Sequence, residues 1–487
     1  MSVPHPDRIA RPWWVRLLDV TIMVAAVLLL SALLTGGVRV RFDHVRITAE
    51  SPWKLALVMT GLLALRSFAW RHDTWWALTA TRLRRIVADR GLRRALPWVV
   101  TTRLVVLYTA YLSVIVIGYP QGGPPFRTSD NEFGNLFARW DAGWYVGIAE
   151  SGYNYWGNAR AQTNVAFFPA YPYTMRAAAA LLGARWGSPD QPTESFDAFT
   201  ERRHVRLLQA GALVSVFAFT GALVYLFRLA RDLTDSEEAA GSAVALAATY
   251  PFAFFYGAVY TEGLFLLCAV GAFHHFRRRQ WAIAAAFGLV AGLSRPNGCL
   301  LSVPLGLMAL DAWRRDDYRW QTLAAALPSA ASAGLGMLAF TWWLHAQTGE
   351  WFLWMKAHGA WGRQFSGVHV LVQQRWQDLR GMGLYGYSVV HAVEILNMAA
   401  TLLAIGVSWP VARHLGVASS AFVLVTVLPP LFMGGFLSMG RVTSTLFPIF
   451  IYLGWRVRGP ALTHVLVATC GLQVALAIMH FTWRQVF

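Results

Sequence analysis

The stretch Gln209-Ala-Gly-Ala-Leu-Val-Ser-Val-Phe-Ala-Phe-Thr-Gly-Ala-Leu-Val-Tyr-Leu-Phe227 carries no charged side chain. A helix crossing the hydrocarbon core of a bilayer needs about 20 residues of this kind. Val20 to Thr35 is a second uncharged run. The whole chain follows suit: of 487 residues, 56% are apolar and only 14% charged, with 23 tryptophans. Soluble domains are nearer a quarter charged. This composition excludes a soluble enzyme, a disordered tail protein and a secreted disulfide scaffold. An all-α polytopic membrane protein is what remains.

The net charge of +17 would point to nucleic acid in a soluble chain. In a membrane protein it has a simpler source, because Lys and Arg gather in cytoplasmic loops. Thr81 to Arg94 shows the pattern, with Arg82, Arg84, Arg85, Arg90, Arg93 and Arg94 between two apolar segments. No nucleic-acid partner is expected. Cys268, Cys299 and Cys470 lie in apolar segments without metal-like spacing, so neither a disulfide framework nor a zinc site is expected. The first apolar run has no small-residue cleavage site after it and reads as a retained helix.

Hydropathy predicts about 13 transmembrane helices: 17–35, 54–70, 98–118, 207–227, 239–257, 259–276, 281–294, 298–312, 321–345, 388–408, 417–436, 441–455 and 461–483. With the N-terminus inside, the basic clusters at 82–94, Arg228 with Arg231, Arg277 to Arg279, Arg314 with Arg315, Arg413, and Arg456 with Arg458 all fall in the cytoplasm. Only Arg39 to Arg46 falls on the other side. Tyr171 to Trp186 is apolar, yet a full crossing there would invert every later loop, so it is expected to be re-entrant or peripheral. Two extracytoplasmic loops, 119–206 and 345–387, are too long for simple connectors and rich in aromatic residues. Residues 1–97 read as an N-terminal two-helix extension with a basic cytoplasmic loop, and 98–487 as one integral domain.

Within the first loop, Phe133, Leu136, Phe137, Trp140, Trp144 and Ile148 repeat at three- and four-residue spacing. They predict an interfacial helix with an aromatic face in the headgroup region and Asp141 at its border. A partly desolvated carboxylate there could act as general base toward an acceptor hydroxyl. Equally, Asp141 could be an ordinary polar-face residue or an Arg partner. Phe167-Phe-Pro-Ala-Tyr-Pro-Tyr173 predicts a rigid elbow, since its two prolines restrict the backbone. Three further polar clusters sit at outer ends of apolar segments: Tyr260-Thr-Glu262, Ser294-Arg-Pro-Asn-Gly298, and Met439-Gly-Arg-Val-Thr-Ser-Thr445. Ionisable groups beside membrane spans are costly and are functional candidates. Arg295 and Arg441 could bind a phosphate through paired hydrogen bonds, reach outward to headgroups, or pair with Glu262. Convergence of these clusters on one face favours a site.

Trp140-Asp-Ala, Ile148-Ala-Glu-Ser-Gly-Tyr153, Ala166-Phe-Phe-Pro169, Tyr260-Thr-Glu-Gly-Leu-Phe265, Ser294-Arg-Pro-Asn-Gly298 and Arg441 before Phe447-Pro448 occur in this order. Over roughly residues 98 to 455 the chain thereby resembles the PIG-V, or GPI mannosyltransferase 2, family and its bacterial relatives. The resemblance implies a GT-C-like fold with the active site on the extracytoplasmic face. It further implies a polyprenyl-phosphate sugar donor, mannose by the family's habit, and a first-loop acid, here Asp141, as base. Thr261 stands where the family often has serine, and Val442 where an aromatic usually follows the arginine.

The expected activity is that of an inverting membrane glycosyltransferase acting on a lipid-linked or cell-envelope glycan acceptor at the bacterial cytoplasmic membrane. Asp141 would take the proton, Arg295 and Arg441 would hold the donor phosphate, and Trp140, Trp144, Tyr145, Tyr260, Glu262 and Asn297 would contact substrate. No cofactor and no metal are expected, because no Asp-x-Asp pair lies beside the outer clusters. A transporter or flippase of a lipid-linked substrate would also carry intramembrane Arg and Glu. Against it, the polar residues gather at one face and no internal repeat is evident. A non-catalytic envelope subunit is the third reading.

Overall fold

The computed structural model describes residues 12–35, 38–42, 45–49, 52–69, 88–155, 157–158, 161–187, 195–362 and 367–486. The basic stretch up to Val87 and Trp156 of the first loop lie outside them. Helices α1 (Trp13–Thr35) and α2 (Pro52–Ala69) flank a hairpin of β1 (Val38–Phe42) and β2 (Val45–Ala49). This hairpin is a small departure from the all-α expectation. Its strands pair antiparallel, Val38 opposite Ala49, and Val-Arg-Val-Arg-Phe alternates apolar and basic residues with the period of a strand.

The main body begins with α3 (Arg90–Val116), α4 (Ala142–Ser151), α5 (Ala170–Leu181), α6 (Phe196–Thr234), α7 (Glu237–Thr249) and α8 (Glu262–Arg277). It continues with α9 (Trp281–Ser294), α10 (Ser302–Arg315), α11 (Trp320–Thr348), α12 (Leu353–Ala357), α13 (Val368–Val390) and α14 (Ala392–Leu415). Then come α15 (Val417–Gly434), α16 (Met439–Ser444), α17 (Phe447–Arg456) and α18 (Gly459–Phe481). Every apolar segment predicted from the sequence contains helix. Among the described residues, however, only α3, α6, α11, α14 and α18 are long and apolar enough to cross a membrane. A sixth candidate is α7 with the 3-10 turn Pro251–Gly257, bent by 78°.

Three boundaries differ from expectation. Helix α3 starts at Arg90, so the division at 97/98 falls inside it; Asp89 accepts the Leu92 N–H at 3.0 Å and caps the first turn. Hydropathy misses this start because Arg90, Arg93 and Arg94 are charged. Helix α5 has 12 residues, about 18 Å, short of a bilayer core. The second long loop is largely helical, holding the end of α11, α12, the 3-10 turn His358–Trp361 and most of α13, which breaks at Gly383 (φ 69°).

Tight helix crossings set the frame. A Cβ on Gly292 of α9 would fall 1.9 Å from the Ala333 carbonyl oxygen of α11, and one on Gly336 would fall 2.5 Å from the Leu289 carbonyl. Small residues let backbones approach where lipid offers no hydrophobic drive. At one end of the bundle, Arg90 meets Glu237 at 2.7 Å, Arg278 meets Asp232 at 2.9 Å, and Arg279 meets Asp316. The other end carries the clustered motifs.

Candidate functional site

The first-loop helix is shorter than its spacing predicts. Residues 131–141 form turns, and α4 begins only at Ala142. Side chains bond the backbone into turns here: Asn135 Oδ1 accepts from Thr128 N–H at 2.8 Å and Ser129 N–H at 3.0 Å, and Asn131 Oδ1 accepts from Phe133 N–H at 2.8 Å. Trp140 sits in the left-handed region at φ 51°, which ends any helical run. Buried Arg139 locks this turn by donating to the carbonyls of Phe481 (2.6 Å) and Asn135 (2.7 Å) and to the Tyr119 hydroxyl (2.9 Å). Leu136 and Ile148 of the predicted stripe are fully buried in protein. Asp141 is thereby set immediately before α4.

Glu262 opens α8, after a 3-10 turn held by the Tyr256 hydroxyl on the Ser444 carbonyl (2.6 Å). The N-terminal end of the helix dipole favours an acid there. Arg295 stands in the break between α9 and the turn Pro296–Leu301, with extended backbone (φ −165°, ψ 158°). Pro296 accounts for this, since a residue before proline is pushed out of the helical region. Arg441 lies in short α16, whose Gly440 N–H donates to Asn397 Oδ1. A side chain at Gly440 would collide with the Phe252 ring, 2.2 Å away.

These four charged groups meet. Arg441 Nη1 donates to Asp141 Oδ2 at 3.0 Å and its Nε donates to Glu262 Oε1 at 2.8 Å. Arg295 Nη2 lies 3.4 Å from the same Glu262 oxygen. The Arg441 guanidinium sits 4.6 Å from the Tyr260 ring centre and 5.2 Å from that of Phe255. Tyr260 in turn accepts the Asp141 N–H at 3.3 Å. The Glu262 side chain is 0% exposed, Arg295 11%, Arg441 13% and Asp141 19%, so Asp141 has the most open side. Among the described residues, buried Glu262 Oε2, Arg295 Nη1 and, two residues beyond Arg295, Asn297 Nδ2 have no hydrogen-bond partner. Buried polar groups are otherwise nearly always paired. An acid pair, two guanidiniums and an amide with unspent capacity can hold an oxyanion and a hydroxyl side by side. Among the described residues, no three His, Cys, Asp or Glu side chains come together as a metal site.

The aromatic candidates divide. Tyr145 packs edge-on against Phe167 (5.3 Å) and Tyr171 (5.1 Å) and faces Tyr260 at 6.3 Å. Burial, then the charge of Asp141, push its hydroxyl above the ordinary range, so it stays a neutral donor. Trp144 stacks on Phe167 at 5.9 Å and meets Trp361 edge-on at 5.3 Å. Trp140 turns the other way: its Nε1 donates to the His480 carbonyl at 3.2 Å and its ring packs on Trp483 at 5.0 Å. It thereby braces the C-terminal helix.

Sequence reasoning missed Trp361 and His480. His480 is fully buried, with neither ring nitrogen hydrogen-bonded, among Phe254, Phe255 and Tyr260. Nothing local marks it, because a histidine near a helix end has many ordinary reasons. Glu150 lies in the motif Ile148-Ala-Glu-Ser-Gly-Tyr153, but sequence reasoning assigned it no role; it anchors α4, with Arg203 Nε donating to its Oε1 at 2.9 Å and His204 Nε2 meeting its Oε2 at 2.7 Å.

Residues 126–311 match the family model described as mannosyltransferase (PIG-V). The GPI alpha-1,6-mannosyltransferase 2 of Rattus norvegicus is 33% identical over 167 residues, 34% of this chain. That alignment spans 30% of the relative's own length. The match is narrower than the motif resemblance, which reached Arg441. It includes Asp141, Glu262 and Arg295, and over this region the chain is PIG-V-like.

Proposed function

We propose that the protein is an inverting membrane glycosyltransferase that moves mannose from a polyprenyl-phosphate donor to a lipid-linked or cell-envelope glycan acceptor. We place the reaction at the extracytoplasmic face of a bacterial cytoplasmic membrane, with membrane lipids around it. The acceptor hydroxyl gives its proton to Asp141 Oδ1, which has no protein donor among the described residues. The acceptor oxygen bonds to the anomeric carbon while the bond from that carbon to the phosphate oxygen breaks, and the polyprenyl phosphate leaves. Arg295, with Nη1 unspent, holds that phosphate, and Asn297 supplies a further donor. Arg441 aligns Asp141 and shares the phosphate charge. Tyr145, Trp144 and Tyr260 line the sugar's path. No cofactor enters the scheme.

One observation carries the reading: Arg441 bridges Asp141 and Glu262 beside Arg295, and Glu262 and Arg295 each keep a buried polar atom without a hydrogen-bond partner among the described residues. A donor phosphodiester brings one negative charge into a cluster of two acids and two guanidiniums, so its arrival competes with both carboxylates for arginine.

The test is transfer of label from polyprenyl-phosphate mannose in membranes holding wild type, Asp141→Asn or Glu262→Gln. Asp141→Asn should lose transfer while still binding donor. Normal turnover of Asp141→Asn alongside a dead Glu262→Gln would make Glu262 the base.

A further inference from the structure

We propose that a second polar site, at the opposite end of α8 from Glu262, binds the phosphate of an anionic membrane lipid. A cavity of about 360 Å³ lies there, its lining including Asp89, Arg90, Arg228, Arg231, His274 and Arg278. His274 lies twelve residues along α8 from Glu262, about 18 Å at the helical rise. The cavity is therefore separate from the Asp141 cluster.

Four guanidiniums and one carboxylate, Asp89, line the cavity, with Asp232 and Glu237 paired to lining side chains behind it, and Asp89 is already spent. Asp89 gives Oδ1 to the Leu92 N–H at 3.0 Å and Oδ2 to Arg228 Nη2 at 2.7 Å. It fixes Arg228 in place and has little capacity left to repel an anion. Arg278 gives Nη2 to Asp232 at 2.9 Å, and Arg90 gives Nη1 to Glu237 at 2.7 Å. Arg231 is held only loosely, 3.8 Å from Asp232. A guanidinium has five N–H donors, so each retains most of them.

An independent observation points to a ligand. His274 is 5% exposed and lines the cavity; among the described residues its Nδ1 makes no hydrogen bond, and Asp232 Oδ2 lies 3.9 Å from it. A phosphate oxygen would give that nitrogen an N–H acceptor and the arginines a planar, paired contact.

Location selects the source of the phosphate. The cavity sits where α3 begins and α6 ends, and both are membrane-span candidates. Headgroup phosphates lie at this depth, and basic pockets between spans are where anionic headgroups dock. The volume suits a small phosphodiester headgroup.

The test uses the purified full chain in mixed phosphatidylcholine and phosphatidylglycerol micelles, with retained lipid counted by native mass spectrometry. Wild type should retain phosphatidylglycerol preferentially. Arg228→Gln/Arg278→Gln should lower that retention by about fivefold or more, given the contribution of each basic residue near a headgroup. Because Arg228 also holds the α3 cap, Arg231→Gln is the second variant; it should keep the wild-type unfolding midpoint in phosphatidylcholine and still retain less phosphatidylglycerol. Equal retention by Arg231→Gln and wild type would reduce the effect to general surface attraction and overturn the proposal. Millimolar inorganic phosphate should leave the lipid bound. Displacement by phosphate would overturn the lipid assignment in favour of a soluble anion.

Discussion

Helix α4 has an acid at each end, and both acids meet arginine. Glu150, at its C-terminal end, is saturated by Arg203 and His204. Asp141, before its first turn, gives one oxygen to Arg441 and stands beside unpaired Glu262 Oε2, Arg295 Nη1 and Asn297 Nδ2. An acid whose oxygens are both taken can hold a helix in place but has nothing left for a substrate. Unspent hydrogen-bonding capacity, more than charge or burial, separates the candidate-site end of this helix from its anchored end.

The widest gap should appear in turnover. Asp141→Asn should slow transfer by about 10² to 10⁴, the range of general-base contributions. Glu150→Gln, measured per folded enzyme in the same assay, should stay within about threefold of wild type, since it touches no reacting atom. A comparable collapse in Glu150→Gln would break the contrast.

Next come the arginines. Arg295→Ala should weaken donor binding by about 10- to 150-fold, the scale of hydrogen bonds to a charged group. Arg441→Ala should lower turnover as well as donor affinity, because it also releases Asp141. Titration with donor separates the two, and Lys at either position should recover only part.

Stability reverses the order. Glu150→Gln should lose about 1–3 kcal/mol, because Arg203 and His204 are left short of a partner, while Glu132→Gln should change stability by about 1 kcal/mol or less. Glu132 bonds the Tyr119 hydroxyl at 2.5 Å and Arg127 at 2.9 Å, but these are half-exposed contacts. Thermal unfolding of the two amides checks both values.

The smallest effect is in pH. Burial raises the Glu150 carboxyl, and His204 and Arg203 more than offset it, leaving it below its ordinary 4.5. A lowered carboxyl contributes stability that is complete above the unfolded value and is lost as pH falls through the folded one. Hydrogen exchange across 142–151, corrected for intrinsic rate, should be flat above the carboxyl's ordinary 4.5 and rise as pH falls below it. The acid step should vanish in Glu150→Gln.

The helices were legible because hydropathy and period are local properties. The β1–β2 hairpin was legible in principle: Val38 to Phe42 alternates with period two, but its arginines drew attention to charge instead. The aromatic stripe from Phe133 to Ile148 had helical spacing, yet Asn131 and Asn135 offered the backbone competing bonds, and a left-handed Trp140 followed. The motif order pointed to Asp141, Glu262, Arg295 and Arg441, and the fold brings them together. That Arg441 would take both carboxylates could not be read, because such a pairing depends on how α4, α8 and α16 pack.

The bond between Asp141 and Arg441 joins residues 300 positions apart, and Arg139 reaches 342 positions to the Phe481 carbonyl. A membrane chain is made and inserted from its N-terminus, and domains tend to fold in that order. Asp141, Glu262 and Arg295 would thus emerge long before the residues that neutralise and brace them. The acid pair gains its guanidinium only when α16 arrives, and Arg139 gains its carbonyl only with α18. A nascent or truncated chain ending before α16 would hold Asp141 without its guanidinium and Arg139 without its carbonyl, which ties assembly of the candidate site to the arrival of α16 and α18.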